Sequence, residues 1–263
     1  MDFIRNARRI VIKIGSSSLT HSTGRLNLHR IETLARVLSD FKNAGKSIVL
    51  VTSGAISAGK ARLGLDHRPS TTEEKQAMAA VGQCELMSIY ERFFRMYGHT
   101  VGQILITRDT VDNPVSRKNA ENTFNTLLAM GCVPIVNEND TISFEEIEFG
   151  DNDTLSAYVA LLCRADVLVN LSDIDGLYDS DPHKNPEAKL IPSVVRIDDA
   201  IRAAAGGAGS AAGTGGVITK LHAAEIACSN GIPMFIINGE NPEIMYDLFQ
   251  GRHVGTYFMP YGI

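Results

Sequence analysis

The sequence predicts an α/β fold, a three-layer sandwich in which helices cover both faces of a mainly parallel sheet. Two observations carry this expectation. Strand-length runs of β-branched and apolar residues recur along the chain, and segments with helical spacing of apolar residues alternate with them.

Taken in order, the runs at 10–14, 47–52, 101–107, 132–137, 166–171 and 233–238 read as buried strands. Between the first two, Leu28, Ile31, Ala35, Leu38 and Phe41 recur at helical spacing, and 72–97, 118–130, 153–164 and 217–230 also read as helices. Ligands of such a sheet gather beyond the carboxyl ends of its strands. No internal repeat or linker divides the chain, so one domain is expected, with 1–165 and 166–263 as approximate lobes. The alternating T-I-S-F-E-E-I-E-F suggests a hairpin within 139–149. The Gly- and Ala-rich stretch 203–216 reads as a mobile loop leading into the next helix.

With 263 residues, 44% of them hydrophobic, the chain can bury a sizeable core. No apolar run approaches the ~18 residues a spanning helix requires, and the first residues lack a signal-peptide core. A cytoplasmic protein with no membrane partner is expected. A net charge of −5, no basic block and only 6% aromatic residues argue against a nucleic-acid surface. Cys84, Cys132, Cys163 and Cys228 are far apart and the seven histidines lack metal-ligand spacing, so neither a disulfide framework nor a metal site is expected.

The first run ends in V-I-K-I-G-S-S-S, which sets Lys13 inside an otherwise apolar strand. A lysine there is costly without an anion to meet. Gly15 permits a tight turn, after which the N–H groups and hydroxyls of Ser16 to Ser18 can cradle phosphate oxygens. An edge-strand lysine reaching to water beside an ordinary turn fits these residues equally well. The second run ends in V-T-S-G-A-I-S-A-G, placing Ser53 and Gly54 at a helix N-terminus suited to a carboxylate or phosphate, or simply to a cap by Thr52 or Ser53. Two clusters of short acids and amides follow, N-E-N-D with Asn137 and Asp140, and G-D-N-D-T-L-S-A with Asp151, Asn152 and Asp153. They suit an ammonium group and a polar ligand, although capping by Asp151 or Asp153 accounts for part of them. The fifth run leads through L-S-D-I-D-G-L-Y, with Ser172 and Asp173, into a turn. G-T-G-G-V-I-T-K then sets Thr214, Gly215, Gly216, Val217, Ile218 and Thr219 ahead of a second lysine, Lys220, at the start of a helix. The G-A-G-S-A-A-G at 207–213 follows a helical stretch, not a strand, and so fails as a dinucleotide fingerprint.

In this order the motifs resemble the amino acid kinase family over nearly the whole chain, through K-I-G-S-S, V-T-S-G-A-I-S-A-G, A-A-V-G-Q, N-E-N-D, G-D-N-D-x-L-S-A, D-x-D-G-L-Y and G-T-G-G-x-x-T-K. Ser16 after Gly15, where acetylglutamate-phosphorylating relatives usually carry a second Gly, favours the branch that acts on free glutamate. The resemblance implies an amino acid kinase-like fold, an amino-acid-binding first lobe and an ATP-binding second lobe. It implies ATP with Mg2+, the ion riding mainly on the phosphates, and transfer of the γ-phosphoryl group to the L-glutamate side-chain carboxylate as the first step of proline biosynthesis. Lys13 and Lys220 are then catalytic, oriented by Asp153. Ser53, Gly54, Asp140 and Asn152 bind glutamate, with Asn137 and Asp151 supporting that pocket. Lys13, Gly15, Ser16, Ser172, Asp173 and 214–220 bind ATP. Proline as a feedback inhibitor, a glutamyl phosphate reductase as transient partner and a homo-oligomer are further implications. Many relatives of this branch continue into a C-terminal PUA module. This chain, ending at Ile263, is expected to be a short form without one. Another carboxylate or carbamate kinase on the same fold, or a non-catalytic sensor, is the alternative.

Overall fold

A computed structural model describes residues 2–67, 69–142, 152–182, 184–207 and 216–262. Among them eight strands form one sheet: β1 (Arg9–Ile14), β2 (Ser47–Thr52), β3 (Val101–Ile106), β4 (Val133–Glu138), β5 (Val167–Ser172), β6 (Ser193–Val194), β7 (Met234–Asn238) and β8 (Thr256–Phe258). Their order across the sheet is β3-β4-β2-β1-β5-β7-β8-β6. Six strands are parallel, whereas β8 is antiparallel to β7 and carries β6 alongside it in its own direction.

Strand side chains alternate between two faces. Ile10, Ile12 and Ile14 pack into one core with α1 (Asp2–Asn6), α2 (Ser16–Leu19), α3 (Leu28–Asn43), α5 (Thr72–Met96) and α11 (Ile244–Phe249). Between α3 and α5 in the chain stands α4 (Ala55–Leu63). Val11 points the other way, into a core built with α6 (Arg108–Asp112), α7 (Pro114–Ala129), α8 (Asn152–Leu162), α9 (Asp199–Gly207) and α10 (Val217–Ser229). Both faces are therefore covered, which is why the inner strands read as apolar runs without alternation. Each fully buried Leu or Ile contributes about 1.5–3 kcal/mol of transfer free energy to this arrangement.

The helix ends follow local chemistry. Asn27 caps α3 by accepting from Arg30 N, and Thr71 caps α5 by accepting from Glu74 N. Asn113 caps α7 with Pro114 at its first position, so that helix starts four residues ahead of the segment expected from apolar spacing. The stretch expected to be a loop from 203 is helical through 207, because Asp198 Oδ1 accepts from Ile201 N and an alanine run extends the turn. The remainder of that stretch to 215, and the hairpin expected within 139–149 from 143 onward, lie outside the described residues. The short elements β6, β8, α2, α6 and α11 carry too few residues for their periodicity to register in the sequence.

Helices α4 and α5 meet backbone to backbone. A Cβ built on Gly82 would stand 1.7 Å from Ala55 O, and one on Gly59 would stand 1.8 Å from Met78 O. The A-A-V-G-Q and S-A-G motifs thus supply the two glycines that let α5 sit close behind the β2–α4 turn. Among the described residues no helix is long and apolar enough to cross a membrane. Substituting Gly82 by Ala forces the two helices apart, and a loss of ~3 kcal/mol in urea denaturation is expected, at the upper end of ordinary overpacking.

Candidate active site

Lys13 lies near the carboxyl end of β1, a central strand paired with β2 on one side and β5 on the other. That position removes the edge-strand reading, since no path to water runs along the sheet. Strand alternation turns Lys13 toward the α8 face, where it is 3% exposed. There its ammonium pairs with Oδ1 of Asp153, a fully buried residue in the first turn of α8. Lys220, from the first turn of α10 and 5% exposed, reaches Asp153 Oδ2 at 3.0 Å. Two cations from opposite ends of the chain thus share one carboxylate. Burial pushes the Asp153 carboxyl upward, but the adjacent Lys13 and Lys220 ammonium groups hold it well below the usual carboxylate range. Asn170 Nδ2 donates to Oδ1 at 2.7 Å, and the Thr219 hydroxyl stands 3.1 Å from Oδ2.

Gly15, ahead of α2, is extended with a φ of −83°, so the turn expected of it does not require a glycine, and a Cβ there would lie 3.5 Å from Lys13 Nζ in ordinary contact. Ser16 begins α2, and Ser18 is buried with its hydroxyl unpartnered. Ser172 ends β5, donates to Asp173 Oδ1 at 3.1 Å and accepts from Gly239 N at 2.6 Å through its carbonyl. Gly216, in extended conformation, precedes Val217, Ile218, Thr219 and Lys220 of α10. Asp151, Thr214 and Gly215 lie outside the described residues.

A second polar cluster adjoins the first. Asn152 Nδ2 stands 2.8 Å from both Thr52 O and Ser53 Oγ, and 3.0 Å from Asn137 Oδ1. Asn137 Nδ2 in turn donates to Gln83 Oε1 at 2.9 Å. Gly54, not Thr52 or Ser53, is the N-cap of α4, and its φ of 99° is open to glycine and strained for other residues. Thr52 Oγ1 meets the buried Tyr90 hydroxyl at 2.8 Å. Asp140, in the turn after β4, is half-buried, and burial pushes its carboxyl up to about 6. It makes no described contact with the Asn152 cluster.

Asn170, Gln83 and Tyr90 were not singled out from the sequence. Asn170 carried a signal, a polar residue inside V-L-V-N-L-S, of the same kind that marked Lys13. Gln83 closes the A-A-V-G-Q motif, which by itself gives it no role, and Tyr90 sits in a long helix whose pattern shows only that it is amphipathic. Among the described residues no group of three or more His, Cys, Asp and Glu side chains comes together as a metal cage.

The sequence pattern of the amino acid kinase family matches residues 8–238. The chain belongs to the amino acid kinase family. This amino acid kinase is 54% identical to a protein of Clostridium perfringens named glutamate 5-kinase, over 97% of each chain. It is 51% identical to a protein of the same name from Listeria innocua, over 97% of this chain and 94% of that one. Its fold is that of the isopentenyl phosphate kinase of T. acidophilum, with a TM-score of 0.64 at 19% identity over 95% of this chain and 99% of that one. The UMP kinase of Bacillus anthracis superposes with a TM-score of 0.62 at 18% identity over 97% of each.

Removing the shared carboxylate leaves two buried ammonium groups facing each other. Asp153→Asn is therefore expected to lose roughly 3–5 kcal/mol of stability by urea denaturation. The sign with pH follows from the depressed value. The stabilisation from Asp153 is present above the ordinary 3.8 of the unfolded chain and is lost as pH falls through the lower folded value. Acid titration of D153N should lack that part of the wild-type loss below pH ~4.

Proposed function

We propose that this amino acid kinase transfers the γ-phosphoryl group of ATP to the side-chain carboxylate of L-glutamate, giving L-glutamyl 5-phosphate in the first step of proline biosynthesis. The observation that carries the reading is the pair of lysines on one buried aspartate at the strand ends, beside a cluster of amides. Identity above 50% to relatives named glutamate 5-kinase supports the choice of substrate.

A glutamate carboxylate is ionised at neutral pH, so attack on phosphorus needs no base. The reaction needs relief of repulsion between two anions and stabilisation of charge on the group in transfer. Lys13 and Lys220 supply both from two sides, and Asp153 holds and aims their ammonium groups. Asn152 presents its amide beside Ser53, and with Gly54 this pair holds the amino acid, Asn137 and Asp151 bracing it. Asp140 receives the substrate ammonium. Gly15, Ser16, Ser172, Asp173 and 214–220, with Lys13, hold ATP. The acceptor thus belongs to the β1–β4 lobe and the nucleotide to the β5–β8 lobe. Among the described residues no carboxylates gather as a metal cage, and the donor set suits a Mg2+ ion carried by the ATP phosphates, where it would screen their charge. A cytoplasmic homo-oligomer, inhibited by proline and handing its reactive acyl phosphate to a reductase, completes the reading.

Trapping with hydroxylamine tests it directly. With glutamate the enzyme should yield hydroxamate and ADP together, while N-acetylglutamate, aspartate and carbamate should yield little; equal turnover of any of these would replace the substrate assignment. Lys13→Ala and Lys220→Ala, checked for folding by circular dichroism, should each lose ~100-fold or more in kcat. Wild-type rates in both would remove the lysines from the chemistry. Because Asp140 takes up a proton as pH falls through about 6, the KM for glutamate should rise below that pH. D140N should show a high KM that no longer changes across the same range.

A further inference from the structure

Asn170 lies in the middle of β5, fully buried between Val169 and Leu171. The parallel register sets it beside Lys13 of β1. Its Nδ2 donates to Asp153 Oδ1, the oxygen that also meets the Lys13 ammonium. The other oxygen is served by Lys220 and by the Thr219 hydroxyl. That hydroxyl has one proton, and Gly216 O, 2.8 Å away, competes for it. The Asn170 amide is a neutral donor to the carboxylate that the Gly216 carbonyl does not contest. Its orientation is fixed, because turning it over would set two oxygens against each other.

Holding this amide has a cost. Among the described residues the buried Oδ1 of Asn170 has no partner, and an apolar side chain of similar volume would fill the position with no orphaned acceptor. Packing alone therefore does not account for an asparagine here.

We propose that Asn170 is a positioning residue of the phosphoryl-transfer centre, occupying a lone pair of Asp153 Oδ1 so that Lys13 stays at one edge of that oxygen with its ammonium directed to the transferring group. The inference rests on the reading of Lys13, Asp153 and Lys220 as the transfer centre. A carboxylate offers about four lone-pair directions. With the amide removed, the vacated direction is open to the Lys13 ammonium, which can then swing around Asp153 Oδ1 and away from the phosphoryl group. The effect falls on the transition state and not on ligand binding, so it should appear in kcat with KM preserved.

Asn170→Leu is expected to fold with a urea midpoint close to wild type, since the lost donor to Asp153 and the removed orphaned acceptor act in opposite directions. Its kcat should fall about 10-fold, the value of one hydrogen bond to a charged group. The KM values for glutamate and ATP should stay within about 2-fold. Asn170→Val removes the same donor with a β-branched side chain that suits a strand, and its kcat should fall about as far. Either folded variant with wild-type kcat, or a loss of rate matched by a rise in both KM values, would overturn the inference. Lys13→Ala and Lys220→Ala, assayed in parallel, separate the two levels. If they collapse while N170L does not, Asn170 has no positioning role and the transfer centre stands; if they retain full rate, the centre itself is misassigned.

Discussion

Two ammonium groups brought together out of water repel each other and forfeit their hydration, and no hydrophobic contact compensates for either loss. Lys13 and Lys220 coexist in this protein because Asp153 stands between them with one oxygen for each. That constraint reaches far beyond three side chains. It requires β1, α8 and α10 to arrive at one point, and those elements come from the beginning, middle and end of the chain. The parallel sheet provides the meeting place, since its strand ends and the helix N-termini that follow them lie on one edge. Asp153 sits in the first turn of its helix, where the helix dipole favours a negative charge and adds to the effect of the lysines.

The neighbouring amide cluster depends on a different contact. Asn152 reaches β2, β2 reaches Tyr90 of α5, and Asn137 of β4 reaches Gln83 of the same helix. These bonds exist only because α5 lies close behind the β2–α4 turn, and that proximity is set by Gly59 and Gly82, where backbone occupies the space of a side chain. These two glycines thereby fix the placement of the amides.

Much of this was legible in the sequence, and the reasons differ by residue. The six parallel strands and five long helices announced themselves because burial on both faces leaves unbroken apolar runs, and long helices repeat their pattern several times. Lys13 was legible as an anomaly, since a cation inside V-I-K-I demands an explanation. The sequence left open whether that explanation was an edge position, and only the strand order closed it. Asp153 was visible as one acid among several; nothing in G-D-N-D distinguishes the residue that faces two lysines from the one that would cap a helix. The hydroxyl of Thr219, read as part of a nucleotide loop, stands against Asp153, because the first turn of α10 aims it inward. Short elements such as β6 and α6 were missed for want of a full period. The helical run from 203 was missed because its composition was read for glycine before alanine.

Asn152 and Asp153 are consecutive, and successive residues in a first helical turn point about 100° apart. One therefore faces β2 and β4, while the other faces β1, β5 and α10. The proposed acceptor side and the proposed transfer centre are in this way two sides of a single helical turn. In-line transfer requires nucleophile and phosphorus to be aligned within a fraction of an ångström, and a shared rigid turn provides that alignment without a hinge between the two sites. The acceptor side is built mainly on β2, β4 and α5, so its lining can change while Asp153 and its lysines stay in place. A fold with this division can serve different acceptors with one phosphoryl-transfer centre. What must be kept is the rotation between two neighbouring side chains of α8, more than the identity of any residue that touches the acceptor.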